Sequence, residues 1–197
     1  MASILKVDTI QDQSGNNIIN ESADTITIGA SGDTITVPTG ATLTVPNGGL
    51  SGQNYPAFEA TISATQTLTD NTTQDVALDT ENLDTDGSFN TSTYIFQPTV
   101  AGKYFVYGQA RFNHGGDDLG LIQISVVDEN DTNIVSSASE ELAANNAESR
   151  MLNFSKIIDM NGSTNTLKMT TYVEQLGVGA ITLRTISTLF GAYRIGA

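Results

Sequence analysis

His114 is the only histidine in the 197-residue chain, and so the first residue to test for chemistry. It stands in the run Asn113-His114-Gly115-Gly116-Asp117-Asp118, beside carboxylates that could orient an imidazole acting as a base. The chain has no Cys to act as a nucleophile, and no local nucleophile motif accompanies the histidine. Gly and Asp are also what a tight turn needs, since Gly accepts positive φ and Asp bonds its own backbone. The run reads as a turn, and no catalytic residue is expected.

Asp128-Glu-Asn-Asp131 is the next concentration of oxygen ligands, and calcium is the ion it would suit. The EF-hand pattern fails: Thr132 and Asn133 stand where a third ligand and a Gly belong, and Ser139 replaces the bidentate Glu. Between Val127 and Ile134 these residues are those of a hairpin turn. Paired carboxylates for glycan hydrolysis are available only in the sense that 17 acids in residues 55–197 make chance pairs inevitable. No metal and no cofactor are expected.

The formal charge is −14, with −4 over residues 1–54 and −10 over residues 55–197. An acidic surface repels phosphate backbones and anionic lipid, which argues against nucleic-acid and membrane-surface partners. No apolar run approaches the ~20 residues of a membrane span, so no membrane insertion is expected. The opening MASILKVDTIQDQSG lacks the apolar core of a secretory signal. The sequons at Asn71, Asn90, Asn130 and Asn153 are accordingly expected to be unmodified.

The elements that would position any site are strands. Thr occupies 27 positions, and its β-branched side chain loses little freedom on a pleated surface. No stretch holds a long helical period. Residues 1–22 read as two short strands about Gly15-Asn16. Residues 23–46 repeat: Asp24-Thr-Ile-Thr-Ile-Gly29, Asp33-Thr-Ile-Thr-Val-Pro38 and Ala41-Thr-Leu-Thr-Val-Pro46 each place an apolar pair on one face and Thr on the other. Strands this short cannot bury that face alone, so stacking with copies from other chains, as a fibre stem, is expected. A small extra sheet is the alternative. Residues 47–54, with three Gly in eight positions, form a joint.

From residue 55 onward, strands are expected at 57–64, 66–78, 92–97, 102–112, 119–128, 132–141, 149–158, 164–176 and 181–195. Many short strands at regular spacing predict a β-sandwich. Tyr104, Val106, Gly108, Ala110 and Phe112 share one face of their strand, and Phe105, Tyr107, Gln109 and Arg111 share the other. Aromatics on both faces predict that one side meets the core and the other a subunit interface.

Leu78, Asp84, Phe89, Phe96, Gly102 and Tyr104 follow one another at spacings that form a recognisable ladder. The ladder resembles the signature of the globular-head family typified by complement component one q and tumour necrosis factor, an aromatic and Asx series leading into Gly-x-Tyr-x-Phe. Leu78 and Val106 stand where that family has Phe, and Gly108 where it has an aromatic. Thr188-Leu-Phe190-Gly191-Ala-Tyr-Arg-Ile195 is similar to the family's closing strand. Over residues 55–197 the resemblance implies a trimeric jelly-roll head, non-hydrolytic, with both termini near the stem. The opening LKVDTIQD…GN resembles the N-termini of marine bacteriophage fibre and virion proteins, which implies a virion anchor at 1–22.

The whole is expected to be an all-β homotrimer: a short β-repeat stem followed by a jelly-roll head. Its expected role is a bacteriophage fibre or spike at the virion surface, assembled in the host cytoplasm. Other virion proteins would be met through the N-terminal segment, and a host-surface glycan or protein through the head. A capsid-decorating fibre without a receptor and a cellular ligand or adhesion head are the alternatives. Hairpin loops alternate between the ends of an antiparallel sandwich, which groups loops 113–118, 142–148 and 176–180 at one end. With the termini near the stem, that end is the tip. Asn113, His114, Asp117, Asp118, Asn145, Asn146 and Gln175 are its candidate binding residues.

Overall fold

The computed structural model describes residues 9–11, 13–14, 17–22, 25–28, 32–42, 56–114, 119–140, 149–176 and 179–196. The chain divides into two units, Met1–Ser51 and Gly52–Ala197. In the first, β1 (Thr9–Gln11), β2 (Asn17–Ser22) and β3 (Thr25–Ile28) form an antiparallel sheet in that order. The first copy of the Thr-rich repeat is thus a strand, and it pairs with the N-terminal hairpin. The second copy, Asp33 to Pro38, lies in no strand within the single chain, and Ile35 is 64% exposed. The third lies largely outside the described residues.

The second unit is a sandwich of two antiparallel sheets, and no α-helix occurs among the described residues. Its strands are β4 (Ala57–Thr61), β5 (Gln66–Thr67), β6 (Gln74–Asp75), β7 (Thr80–Asp84), β8 (Phe89–Asn90), β9 (Ile95–Phe96), β10 (Gly102–His114), β11 (Leu119–Val127), β12 (Asn133–Glu140), β13 (Ser149–Met160), β14 (Leu167–Gln175), β15 (Ile181–Leu183) and β16 (Leu189–Gly196). The first sheet runs β5-β15-β10-β16-β4-β7, with β13 on the other side of β10. The second runs β12-β11-β14-β9-β8, with β6 also on β14. This is the expected jelly-roll sandwich.

The core follows from alternation. Tyr104, Val106, Ala110 and Phe112 of β10 are fully buried against Ile122, Ile124 and Val126 of β11 and Met169 and Val173 of β14. At its centre Phe58 stacks on Phe89 at 4.8 Å and on Phe96 at 4.3 Å, and meets the edge of Phe190 at 5.2 Å. Phe96 in turn meets Tyr104 at 5.8 Å. Burial pushes the Tyr104 hydroxyl up to about 12, and that hydroxyl donates to the Val100 carbonyl at 2.7 Å, closing the turn before β10. Asp84 shapes the approach to Phe89: its carboxylate accepts from the amides of Ser88 at 3.0 Å and Phe89 at 2.8 Å. Gly108 departs from the resembled pattern for a visible reason. It pairs with Phe154 of β13, whose ring occupies the space a side chain at 108 would need. The aromatic comes from across the ladder.

Three expected strands are corrected. Residues 66–78 are two short strands, because the chain crosses from one sheet to the other. The Leu68 amide reaches the Ile181 carbonyl on the first sheet, and the amides of Asn71 and Val76 reach Val173 and Met169 on the second. Asn71 turns the corner at φ 52°, and the Gln74 side chain ties the turn back to Thr69. Residues 92–97 shorten to β9, since 91–94 form a turn in which Asn90 accepts from the amides of Ser92 and Thr93. The last strand is broken by a 3₁₀ turn at Thr185–Ser187, where the Thr188 hydroxyl donates to the Arg184 carbonyl at 2.8 Å. β7, not expected, is an edge strand whose Thr and Glu side chains face water.

Phe58→Ala should remove the centre of the aromatic stack and cost ~3–5 kcal/mol of unfolding free energy, read from the urea midpoint. A loss below about 1 kcal/mol would contradict the placement of Phe58.

Candidate functional site

Strand register decides which strand ends meet. At one end Asn113 pairs with Ser149 and Thr182, His114 with Ile181, and Leu119 with Gln175. The strand ends bounding 115–118, 141–148 and 176–180 therefore converge there. At the other end Gly102 pairs with Met160, Lys103 with Gly196, and Val127 with Asn133 and Lys168. The end of β16 thus lies beside the 128–132 and 161–166 turns.

Asn113, His114 and Gln175 fall at the first end. Asp117, Asp118, Asn145 and Asn146 lie outside the described residues. Asn113 is half-buried and its carbonyl accepts from the Thr182 hydroxyl at 3.3 Å. The Gln175 amide donates to Asp70 Oδ1 at 2.9 Å. His114 is only 1% exposed, its ring set under Gly179, so it does not face solvent as a ligand-contacting residue would. The alternation that buries Phe112 also buries His114, two residues on. Asp70, Asn71 and Tyr172 also belong to this end: the Tyr172 hydroxyl donates to Asn71 Oδ1 at 3.1 Å. Sequence reading missed them because 66–78 looked like uninterrupted strand. The signal that could have found them was the Thr-Asp-Asn-Thr run at 69–72, which has turn character.

At the opposite end the acidic run is committed to its own turn. Asp128 Oδ1 accepts from the amides of Asn130 and Thr132, each at 2.9 Å. Glu129 accepts from the Asn165 side chain at 3.0 Å and the Thr166 amide at 3.3 Å. Backbone hydrogen bonds hold both carboxyls below their ordinary values, those of Thr132 and Asn130 for Asp128, and those of Glu129 itself and Thr166 for Glu129. Among the described residues no group of three or more His, Cys, Asp or Glu is placed to hold a metal.

The two outer faces of the sandwich differ. On the first sheet Phe105 lies 5.5 Å from Tyr193 and 6.1 Å from Tyr107. The Tyr107 ring lies directly on Gly191, where no side chain would fit, and its hydroxyl donates to Glu59 Oε2 at 2.8 Å. Burial first, then this bond to Glu59, raises the Tyr107 hydroxyl well above the ordinary tyrosine range. Around the ring cluster Met151, Ile157, Tyr193 and Ile195 are 52, 54, 37 and 45% exposed, leaving an apolar face bare. The outer face of the second sheet carries Gln123, Ser125, Ser136, Ala138, Thr170 and Tyr172 instead.

An all-β sandwich of two antiparallel sheets around this aromatic core is a jelly-roll fold. Among solved structures, the chain is similar to murine APRIL at pH 5.0, with TM-score 0.53 and 10% identity over 71% of this chain and 98% of that one. It is likewise similar to the Eiger TNF of S. frugiperda, with TM-score 0.52 and 10% identity over 71% of this chain and 90% of that one. At such identity the likeness is one of fold. No family model and no curated protein matches the chain.

Asp128 should titrate below 3.8, the ordinary Asp value, when its carboxyl carbon is followed by NMR. A depressed folded-state value means the turn's contribution is present above the unfolded value and lost as pH falls through the folded one. A midpoint at or above 3.8 would contradict the turn geometry.

Proposed function

We propose that the protein is a bacteriophage virion appendage, a homotrimeric fibre or spike whose N-terminal segment attaches to other virion proteins and whose head contacts the host surface. The observation that carries the reading is the bare apolar face built on Phe105, Tyr107, Tyr193 and Ile157. A head with 17 acids and 7 bases would not leave such a face to water, and three copies meeting through it would cover it. The Thr-rich repeat argues the same way, because Ile35 and Val37 stay exposed until other chains stack on them.

The virion assignment rests on the N-terminal segment and its likeness to phage fibre openings. Surface attachment rests on the tip, where the strand ends that bound the Asn- and Asp-rich segments converge and a polar or glycan ligand would suit those residues. Its role is binding rather than catalysis, and the negative charge disfavours nucleic acid. Among the described residues no helix is long and apolar enough to cross a membrane. A cellular ligand or adhesion head is the second reading, favoured by the fold-level likeness to APRIL and Eiger TNF. A capsid-decorating fibre would share everything but the receptor.

The full chain should scatter light as a particle of three times 20.8 kDa. Replacing Asp117, Asp118, Asn145 and Asn146 with Ala should leave that mass unchanged and lower adsorption to host cells about tenfold, as losing a repeated weak site would. A monodisperse monomer at micromolar concentration contradicts the trimer. Unchanged adsorption removes the tip from host attachment and leaves capsid decoration.

A further inference from the structure

The outer face of the second sheet is not uniformly open to water. Ser125 and Thr170 sit opposite one another on β11 and β14, and strand alternation turns them away from the core that holds Ile124 and Met169. Outward positions in the middle of a sheet should be wet, yet these two are only 4% and 6% exposed. They form the floor of a cleft of about 370 Å³. Thr73 and Asp131 rise on its rim, with Gln123 and Tyr172 toward one end. The walls stand at the margins of the β11–β14 pair, with Thr73, which leads into β6, on one of them. β6 lies along β14, and the 128–133 turn closes the other side. Lys168 draws the two together, its ammonium 3.0 Å from Asp75 and 3.8 Å from Asp131.

The lining has a definite chemistry. Ser125 and Thr170 offer hydroxyls that both donate and accept, and Gln123 offers an amide that already orients Ser125 through a 2.9 Å bond. Val127 and Leu121 add apolar surface, and the Tyr172 ring stands at the end with its hydroxyl held by Asn71. Among the described residues lining the cleft there is no cation, and Lys168 beside it is neutralised by two carboxylates, so an anion is not favoured, and the −14 chain repels one. What fits is an uncharged molecule with adjacent hydroxyls on one side and C–H groups on the other. The volume lies at the small end of the range for ligand clefts.

We propose that this cleft is a binding site for a neutral saccharide, its hydroxyls bonding Gln123, Ser125 and Thr170 and its C–H face resting on Tyr172. The site lies on the flat of the sandwich, with Tyr172 toward the tip end, and does not depend on virion attachment or on the trimer.

The test uses the full chain with glucose, galactose, mannose and N-acetylglucosamine at millimolar concentration. Saturation-transfer NMR should show transfer to at least one of them, with amide shifts at 121–127 and 168–173. Thr170→Val, which keeps the strand's shape, and Gln123→Ala should each weaken that binding about tenfold, the scale of a lost hydrogen bond to a buried group. Gln123→Ala suffices should the valine variant fail to fold. No transfer to any of the four sugars, shifts confined to residues 113–118 and 175–181, or full binding by both variants would each overturn the proposal.

Discussion

The stack of Phe58 between Phe89 and Phe96 is the contact on which the head depends. Phe58 comes from the first sheet, and Phe89 and Phe96 from the edge of the second, so one ring joins the two layers. Phe190 and Tyr104 close around it from β16 and β10. Stacked aromatic pairs contribute ~0.5–1.5 kcal/mol each beyond their area burial, and here several share one ring. The stack also sets the neighbouring turns. Asp84 must present Phe89, and the Tyr104 hydroxyl must fold the Val100 turn inward, for the rings to meet. With the layers locked at this edge, the long strands β10, β11, β13 and β14 hold the loop ends in register.

That locked sandwich presents two unlike surfaces. The first sheet's outer face carries rings packed tightly enough to need a glycine beneath Tyr107, and it is apolar beyond what single-chain solubility requires. The second sheet's outer face carries hydroxyls and amides, sunk into a cleft bordered by Thr73 on one side and Asp131 and Asn133 on the other. In the function and the site we propose, the first face serves self-association and the second meets solvent and small ligands. A trimer closed through the first sheet would leave all its clefts outward.

Much of this was legible in the sequence because it is local or periodic. The spacing from Asp84 through Phe89, Phe96 and Gly102 to Tyr104 carried the resemblance that implied a jelly roll, and the period of two in 102–112 separated the two faces of β10. What was hidden is non-local. Phe58 is one more aromatic near the start of the head, and nothing nearby shows that two other strands converge on it. The 66–78 stretch carries turn character only at 69–72, and nothing local shows that it crosses between sheets because Leu68 and Val76 have partners on opposite layers. The break at 185–187 lacks Gly or Pro to announce it. Among the tip residues, grouping followed from hairpin alternation, but the burial of His114 depended on β10 running two residues past its expected end. The cleft was invisible for the same reason as the crossover that builds its wall.

The most direct measurement asks whether the first sheet's outer face is covered in solution. The chain has no native Cys, so a single thiol reports one position cleanly. Ile157→Cys places it on the apolar face and Ala138→Cys on the outer face of the second sheet, both exposed in the single chain. At micromolar protein a maleimide should label position 138 at the rate of a free thiol and position 157 far more slowly, with the difference vanishing on dilution or in mild denaturant. Equal, rapid labelling at both positions at every concentration would show the aromatic face open to water and contradict the account.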